Sequence, residues 1–282
     1  MTSHARTPKV SAPVTRIDRS ADGTVQSLTR AMQLLELLAE DDEGFRLVDI
    51  AAHSGLSTTT VHRLLTTLEQ RQFVQFDRES SLWYVGVRSF SVGAAFARRR
   101  RIATLALPAM RRLRDLTGET VNLGVPDGGE IVFVTQVESR EMVRAMARPG
   151  FRASLHCTAM GQALLARSDD AEVAQFLRTY GLPKSTCNTI ARASRLNDTL
   201  AEVRRVGYAI DDEHNMVGLR CIAAAIGDEY QQPVAAISLV GPTLRIKTTD
   251  FARLGEAVLD AAQEASLAFG GSGFHAKNHA TC

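Results

Sequence analysis

The chain has 282 residues, enough for two domains, and its 45% hydrophobic and 23% charged side chains are the balance of an ordinary globular protein rather than a disordered or fibrous one. A formal net charge of +2 is too near neutral for bulk charge to argue for nucleic acid, although the small basic excess falls within residues 1–101. Cys157, Cys187, Cys221 and Cys282 form no C-x-x-C pair, which argues against a disulfide framework or a thiolate metal site; no cofactor is expected. No apolar run approaches the roughly 18 to 20 residues of a membrane span and no apolar signal core opens the chain, so a cytoplasmic protein with no membrane partner is expected.

Residues 1–22, rich in Ser, Thr, Pro, Arg and Ala without periodicity, read as a flexible tail, whose Arg6, Lys9, Arg16 and Arg19 would at most brush phosphates. Helical patterning begins near Val25 and predicts one face from Leu28, Met32, Leu35 and Leu38, ending around Glu40. Acidic residues and Gly44 then turn into Leu47–His53, a short helix with Ile50 and Ala51 inward. Gly55 supplies the positive φ of a tight turn, and Ser57 is a natural N-cap for a second helix running to about Gln70.

Val61, Leu64, Leu65 and Leu68 make the apolar stripe of that second helix. Counting 100° per residue from the stripe, Thr59, Arg63 and Thr66 point away from it, with Thr60 and His62 on the shoulders and Ser57 and Thr58 at the start. The face is polar and free of acids: Arg63 can fork onto guanine or phosphate, and threonine offers a hydroxyl to phosphate and a methyl to thymine. An ordinary amphipathic hairpin would share the stripe; turn, cap, spacing and acid-free face together read as a helix-turn-helix for double-stranded DNA.

Two short strands, Phe73–Phe76 and Ser81–Val85, flank the polar turn Asp77–Ser80 as a hairpin wing. Arg78 in the turn is a candidate phosphate contact, and Trp83 reads as the wing's anchor on the helical core. The DNA-binding domain therefore spans 23–86. Residues 87–101, ending in Arg98-Arg99-Arg100-Arg101, read as a linker helix whose arginines are not counted in the reading site.

From 102 to 274 helices and strands mix: a helix from Ala106 to Thr117 stopped by Gly118, strands Val121–Val125 and Glu130–Val134 around Pro126–Gly129, two helices between Thr158 and Thr179, and another from Leu196 to Val206. Strands follow near Tyr208–Asp211, Cys221–Ile226 and Val234–Val240, then a last helix from Asp250 to Ala268, with 275–282 as a second flexible tail. The order suggests an α+β sensing domain with a central antiparallel sheet.

Four stretches carry a resemblance: Ser57-Thr58-Thr59-Thr60-Val61-His62-Arg63-Leu64-Leu65, Leu155-His156-Cys157-Thr158-Ala159-Met160-Gly161-Gln162-Ala163, Gly207–Glu213 and Gly218–Ala224. In this order and spacing they resemble the IclR family of bacterial transcription regulators over about residues 24–270. The resemblance implies an α+β protein with an N-terminal winged helix-turn-helix, a linker helix and a C-terminal GAF-like effector-binding domain, working as a homodimer or tetramer on a palindromic operator.

His156-Cys157-Thr158 leads into a helix, where the amides of Ala159 and Met160 would favour an anion such as a small organic acid. Resemblance to glyoxylate-binding members implies that those amides hold the ligand carboxylate, while Asp211, Cys221 and Ser238 line the remaining polar wall. Three departures, Val240 for a second serine, Ala159 for a glycine and Ala225 for a proline, imply a less polar pocket and admit an aromatic acid or a larger keto or hydroxy acid. Each pocket residue also has a plain alternative: Cys221 as a core thiol, Asp211 as a turn cap, Ser238 as a half-buried strand hydroxyl. Two other functions are weighed. A redox-sensing DNA-binding regulator would switch through Cys157, acidified by its helix N-terminus, or through Cys221; a cysteine-dependent hydrolase lacks any catalytic spacing, and no enzyme is expected.

Overall fold

A computed structural model describes residues 25–99, 101–142 and 148–274. The expected tails 1–22 and 275–282, Arg100 and Cys282 lie outside the described residues. The chain divides into two compact units between residues 99 and 100.

In the first unit, α1 (Gln26–Leu38), α2 (Leu47–Ser54) and α3 (Thr58–Gln70) precede a two-stranded antiparallel wing, β1 (Val74–Asp77) and β2 (Leu82–Val85), and then α4 (Val87–Arg99). Leu34, Leu37, Leu38, Ile50, Val61, Leu65 and Trp83 form the core. The expected inward face of α1 is corrected. Leu28 and Met32 are 55% and 45% exposed, whereas Leu38 is buried as expected, together with Ala31, Leu34 and Leu37. Apolar residues lie on more than one side of this helix, so its period alone did not select a face; burial went to the side closed by α2, α3 and the wing.

Trp83 anchors the wing as expected. It is 4% exposed, its ring lies 4.8 Å from that of Phe76, and its backbone exchanges hydrogen bonds of 2.9 and 3.1 Å with Phe45 in the turn before α2. The start of α4 is pinned to the wing by Gly86 N–H on Phe73 O at 2.8 Å and Ser89 Oγ on the same carbonyl at 2.9 Å.

The second unit is a six-stranded antiparallel sheet between two helical layers. Its elements are α5 (Ile102–Thr117), β3 (Thr120–Asp127), β4 (Glu130–Val137), β5 (Arg152–Ser154), α6 (Ala159–Leu165), α7 (Asp170–Tyr180), α8 (Ala193–Val206), β6 (Ala209–Asp212), β7 (Leu219–Gly227), β8 (Pro233–Pro242) and α9 (Phe251–Ala268). The strands lie in the order β5-β4-β3-β8-β7-β6. Boundaries read from the sequence shift by a few residues: α5 starts four residues earlier than expected, β3 and β4 run to a two-residue Gly128–Gly129 turn with both φ positive, and the short β5 was not anticipated.

Period-two alternation sorts the sheet into two cores. Ile222, Ala224, Ile226, Ile237 and Leu239 pack with α5 and α9, whereas Ala223, Ala225 and Ala236 face α6 and α8. The small residues on this second face let α6 lie close to the sheet. Gly161 within α6 is needed for another close approach, because a Cβ there would stand 2.1 Å from the Leu155 carbonyl oxygen. Among the described residues no helix is long and apolar enough to cross a membrane.

Candidate functional sites: a reading head and a buried polar face

Gly55 ends α2 in the left-handed region at φ 67°, ψ 15°, a conformation open to glycine, and Ser57 returns the chain to extended backbone before α3. The Ser57 hydroxyl accepts Thr60 N–H at 3.2 Å and lies 2.9 Å from Thr60 Oγ1. One of the free first-turn amides is thereby satisfied, and no acid occupies that turn. Ser57, Thr58, Thr59, His62 and Arg63 are exposed; Thr60 and Thr66 are half-buried on the flanks. The opposite face is closed, with Val61 and Leu65 at 0% and Leu68 at 8% exposure.

Arg78 is exposed in the wing turn. Asp77 shapes that turn by accepting Ser80 Oγ at 2.5 Å and Glu79 N–H at 3.0 Å, which holds its carboxyl below the usual range. The reading helix and the wing turn thus offer hydroxyls, an imidazole and guanidinium groups on small rigid elements, as phosphate and base-edge contact requires.

The other cluster surrounds Asp211 at the end of β6. Asp211 is 3% exposed, and its Oδ1 accepts His214 N–H at 2.7 Å and Asn215 N–H at 3.3 Å, so it does cap the turn after β6. Burial outweighs these two amides, and Asp212 and Glu213 add to it, so the carboxyl is pushed up to about 7. Cys221 pairs directly with Asp211 across the ladder and Ser238 lies on the next strand, both on the face toward α6. Ser238 is buried at 2% exposure, where a half-buried hydroxyl was the plain alternative.

The approach to α6 completes this wall. Leu155–Cys157 forms one 3-10 turn, and Thr158 caps α6 by accepting Gly161 N–H at 3.1 Å, which leaves the Ala159 and Met160 amides at the first turn. Both residues are buried. Cys157 Sγ lies 3.6 Å from Asn215 Oδ1 and 3.8 Å from Ser185 Oγ. The loop carrying Ser185 is tied to the turn after Asp211 by Thr186 Oγ1 on Glu213 O at 2.7 Å and Thr189 Oγ1 on His214 O at 2.6 Å. His156 is fully buried and donates Nε2–H to Pro183 O at 3.0 Å.

Neither thiol is activated. Burial pushes Cys157 up to about 11, reversing the acidification expected from its place before a helix; the Cys221 thiol, in a half-buried residue, is also raised by desolvation, with Asp211 adding to both. Raised in this way, neither thiol lends support to the redox reading or to a thiolate nucleophile.

The sequence reading brought Ala159, Met160, Asp211, Cys221 and Ser238 into one domain but passed over Asn122, Gln136, Ser185 and Asn215. A signal existed for Asn122: an asparagine inside the apolar strand Val121-Asn122-Leu123 that is 1% exposed. Ser185 and Asn215 sit in loops, where polar residues carry no such signal.

Two family models match this chain: the IclR helix-turn-helix domain over residues 27–78 and the bacterial transcriptional regulator IclR C-terminal domain over residues 94–267. The acetate operon repressor of Salmonella typhimurium is 38% identical over 93% of this chain and 93% of its own length. The transcriptional repressor IclR of Escherichia coli is 39% identical over 89% and 92%. The crystal structure of the Thermotoga maritima IclR superposes with a TM-score of 0.71 at 27% identity, covering 86% of this chain and 98% of that one.

Proposed function

The chain belongs to the IclR family of bacterial transcriptional regulators, and from that premise we propose how it reads DNA and what controls it. It is a DNA-binding transcription regulator and not an enzyme. In our reading residues 23–86 form the reading head, 87–101 the linker and 102–274 the effector domain. Ser57, Thr58, Thr59, Thr60, His62, Arg63 and Thr66 meet an operator half-site, and Arg78 meets a phosphate beside it. The solvent-facing, acid-free start of α3 supports this assignment. Two copies of the chain, or four, would present paired heads to successive major grooves. The names of the relatives favour repression.

A small organic acid is the effector in this reading. The observation that carries it is the convergence of Asp211, Cys221 and Ser238 on the sheet face toward the first turn of α6, where the Ala159 and Met160 amides stand ready for a carboxylate. The acid acts by binding one spacing of the heads better than another. Thermal unfolding across a panel of carboxylates tests it, because a ligand bound only by the folded state raises the midpoint. A shift with one class of acid that is lost in Cys221→Val is the expected result. No shift with any acid would overturn the effector reading and leave the reading head standing.

A further inference from the structure

The sheet face that carries Asp211 and Cys221 continues beyond them. Ladder pairing sets Val240, Cys221 and Asp211 in one row across β8, β7 and β6. In the next row Asn122 pairs with Ser238, and Ser238 with Ala223, while Gln136 of β4 pairs with Asn122 from the other side. Ladder partners project to the same face, so this second row runs from an alanine floor into three neutral polar side chains.

Those polar groups are enclosed but not used up. Asn122 is 1% and Ser238 2% exposed. Gln136 Nε2 donates to Asn122 Oδ1 at 2.9 Å, which fixes the Asn122 amide and leaves its Nδ2 hydrogens with no acceptor among the described residues; the Ser238 hydroxyl likewise has no partner among them. Exchanging the N and O of both amides keeps the pair and still leaves a polar atom of Asn122 free. Buried polar groups in native proteins are paired with protein, water or ligand.

Ladder geometry says how far this end lies from the Asp211–Cys221 end of the wall. With strands roughly 4.8 Å apart and two residues along a strand roughly 6.7 Å, Ser238 is about 8 Å and Asn122 about 12 Å from Cys221 by backbone position. A two-carbon acid, built on a single bond of roughly 1.5 Å, reaches only one end of that wall.

We propose that Asn122, held by Gln136, forms with Ser238 a second polar subsite of the effector pocket, and that the effector is an extended acid with a neutral hydroxyl or carbonyl at its far end. This rests on the effector pocket proposed above and assigns its far wall. The three side chains are uncharged, so a second carboxylate there would be a buried charge facing no cation of the subsite. A hydroxyl or carbonyl oxygen accepts from Asn122 without that cost, and the hydroxyl also pairs with Ser238.

Calorimetric titration of the full chain with linear acids of four to eight carbons, each with its ω-hydroxy and ω-carboxy counterpart, tests this. At the best chain length the ω-hydroxy acid should bind about tenfold tighter than its parent, the worth of one well-made buried hydrogen bond, and tighter than the diacid. Asn122→Ala should erase most of that preference while leaving the parent acid's Kd within about twofold. Gln136→Ala, at a half-buried position, releases the Asn122 amide and should lower the same preference while sparing the parent acid, which gives the second variant should Asn122→Ala not fold. Equal binding of parent and ω-hydroxy acids, tightest binding of the diacid, or an equal loss for both acids in the variants would overturn the subsite alone. Absence of binding by every acid would overturn the pocket reading with it.

Discussion

Asp211 should make the effector domain less stable as pH rises, and Asp211→Asn should remove that dependence. Its carboxyl moves from 3.8 to about 7 on folding because burial disfavours the charged form more than the His214 and Asn215 amides favour it. Below about pH 4 folded and unfolded chains both hold the proton, and there is no penalty. Between about pH 4 and 7 the unfolded chain has released it and the folded chain has not, so stability falls by up to about 1.4 kcal/mol per pH unit. Above about pH 7 both are ionised and the full cost, on the order of 4 kcal/mol, is in force. Asparagine keeps an oxygen for the same two amides and cannot ionise.

His214 and His156, both lowered by burial, titrate with the opposite sign, gaining stability as pH rises, so wild type alone would mix the effects. The difference between wild type and Asp211→Asn isolates the carboxyl. Denaturant midpoints from pH 4 to 8 should be read by far-UV circular dichroism, with Trp83 fluorescence reporting the reading head as an internal control. Asp211→Asn should gain on wild type steadily up to about pH 7. A difference that stays flat, or a wild type that gains on the variant with rising pH, would refute the dominance of desolvation at this site.

Arg63→Ala should weaken operator binding by about 1–3 kcal/mol, roughly 5- to 150-fold, in a mobility-shift titration at fixed salt, with the fold intact by circular dichroism; unchanged affinity would count against its place in the groove. Trp83→Ala should cost the reading head about 3–5 kcal/mol, seen as an early thermal transition that abolishes DNA binding. Gly161→Ala should destabilise the effector domain by about 1–3 kcal/mol or more, because its methyl would meet the Leu155 backbone, which cannot rotate away as a side chain can; a wild-type midpoint would show that α6 shifts freely.

The reading head was legible because its signals are local. Gly55, Ser57 and the stripe Val61-Leu65-Leu68 each act within one or two turns of chain, and the turn, cap and buried face fall where the spacing placed them. The inward face of α1 was not legible, since Leu28, Met32 and Leu35 offered as regular a stripe as Ala31, Leu34 and Leu38. In the effector domain the motifs located α6, β6 and β7 but not the short β5, whose three residues are too few to show a period.

By itself, then, the sequence determined most of the elements, the helix-turn-helix and the family, because capping, positive φ and hydrophobic period are properties of neighbouring residues. Tertiary structure alone decided which charges and polar groups are buried together. Asp211 is an ordinary carboxylate until a sheet and a turn close over it, Cys157 an ordinary thiol until burial raises it, and Asn122 an odd residue in a strand until β4 and β8 bring Gln136 and Ser238 to its sides. Desolvation and ladder register depend on residues that are distant in the chain, and only the folded molecule brings them together.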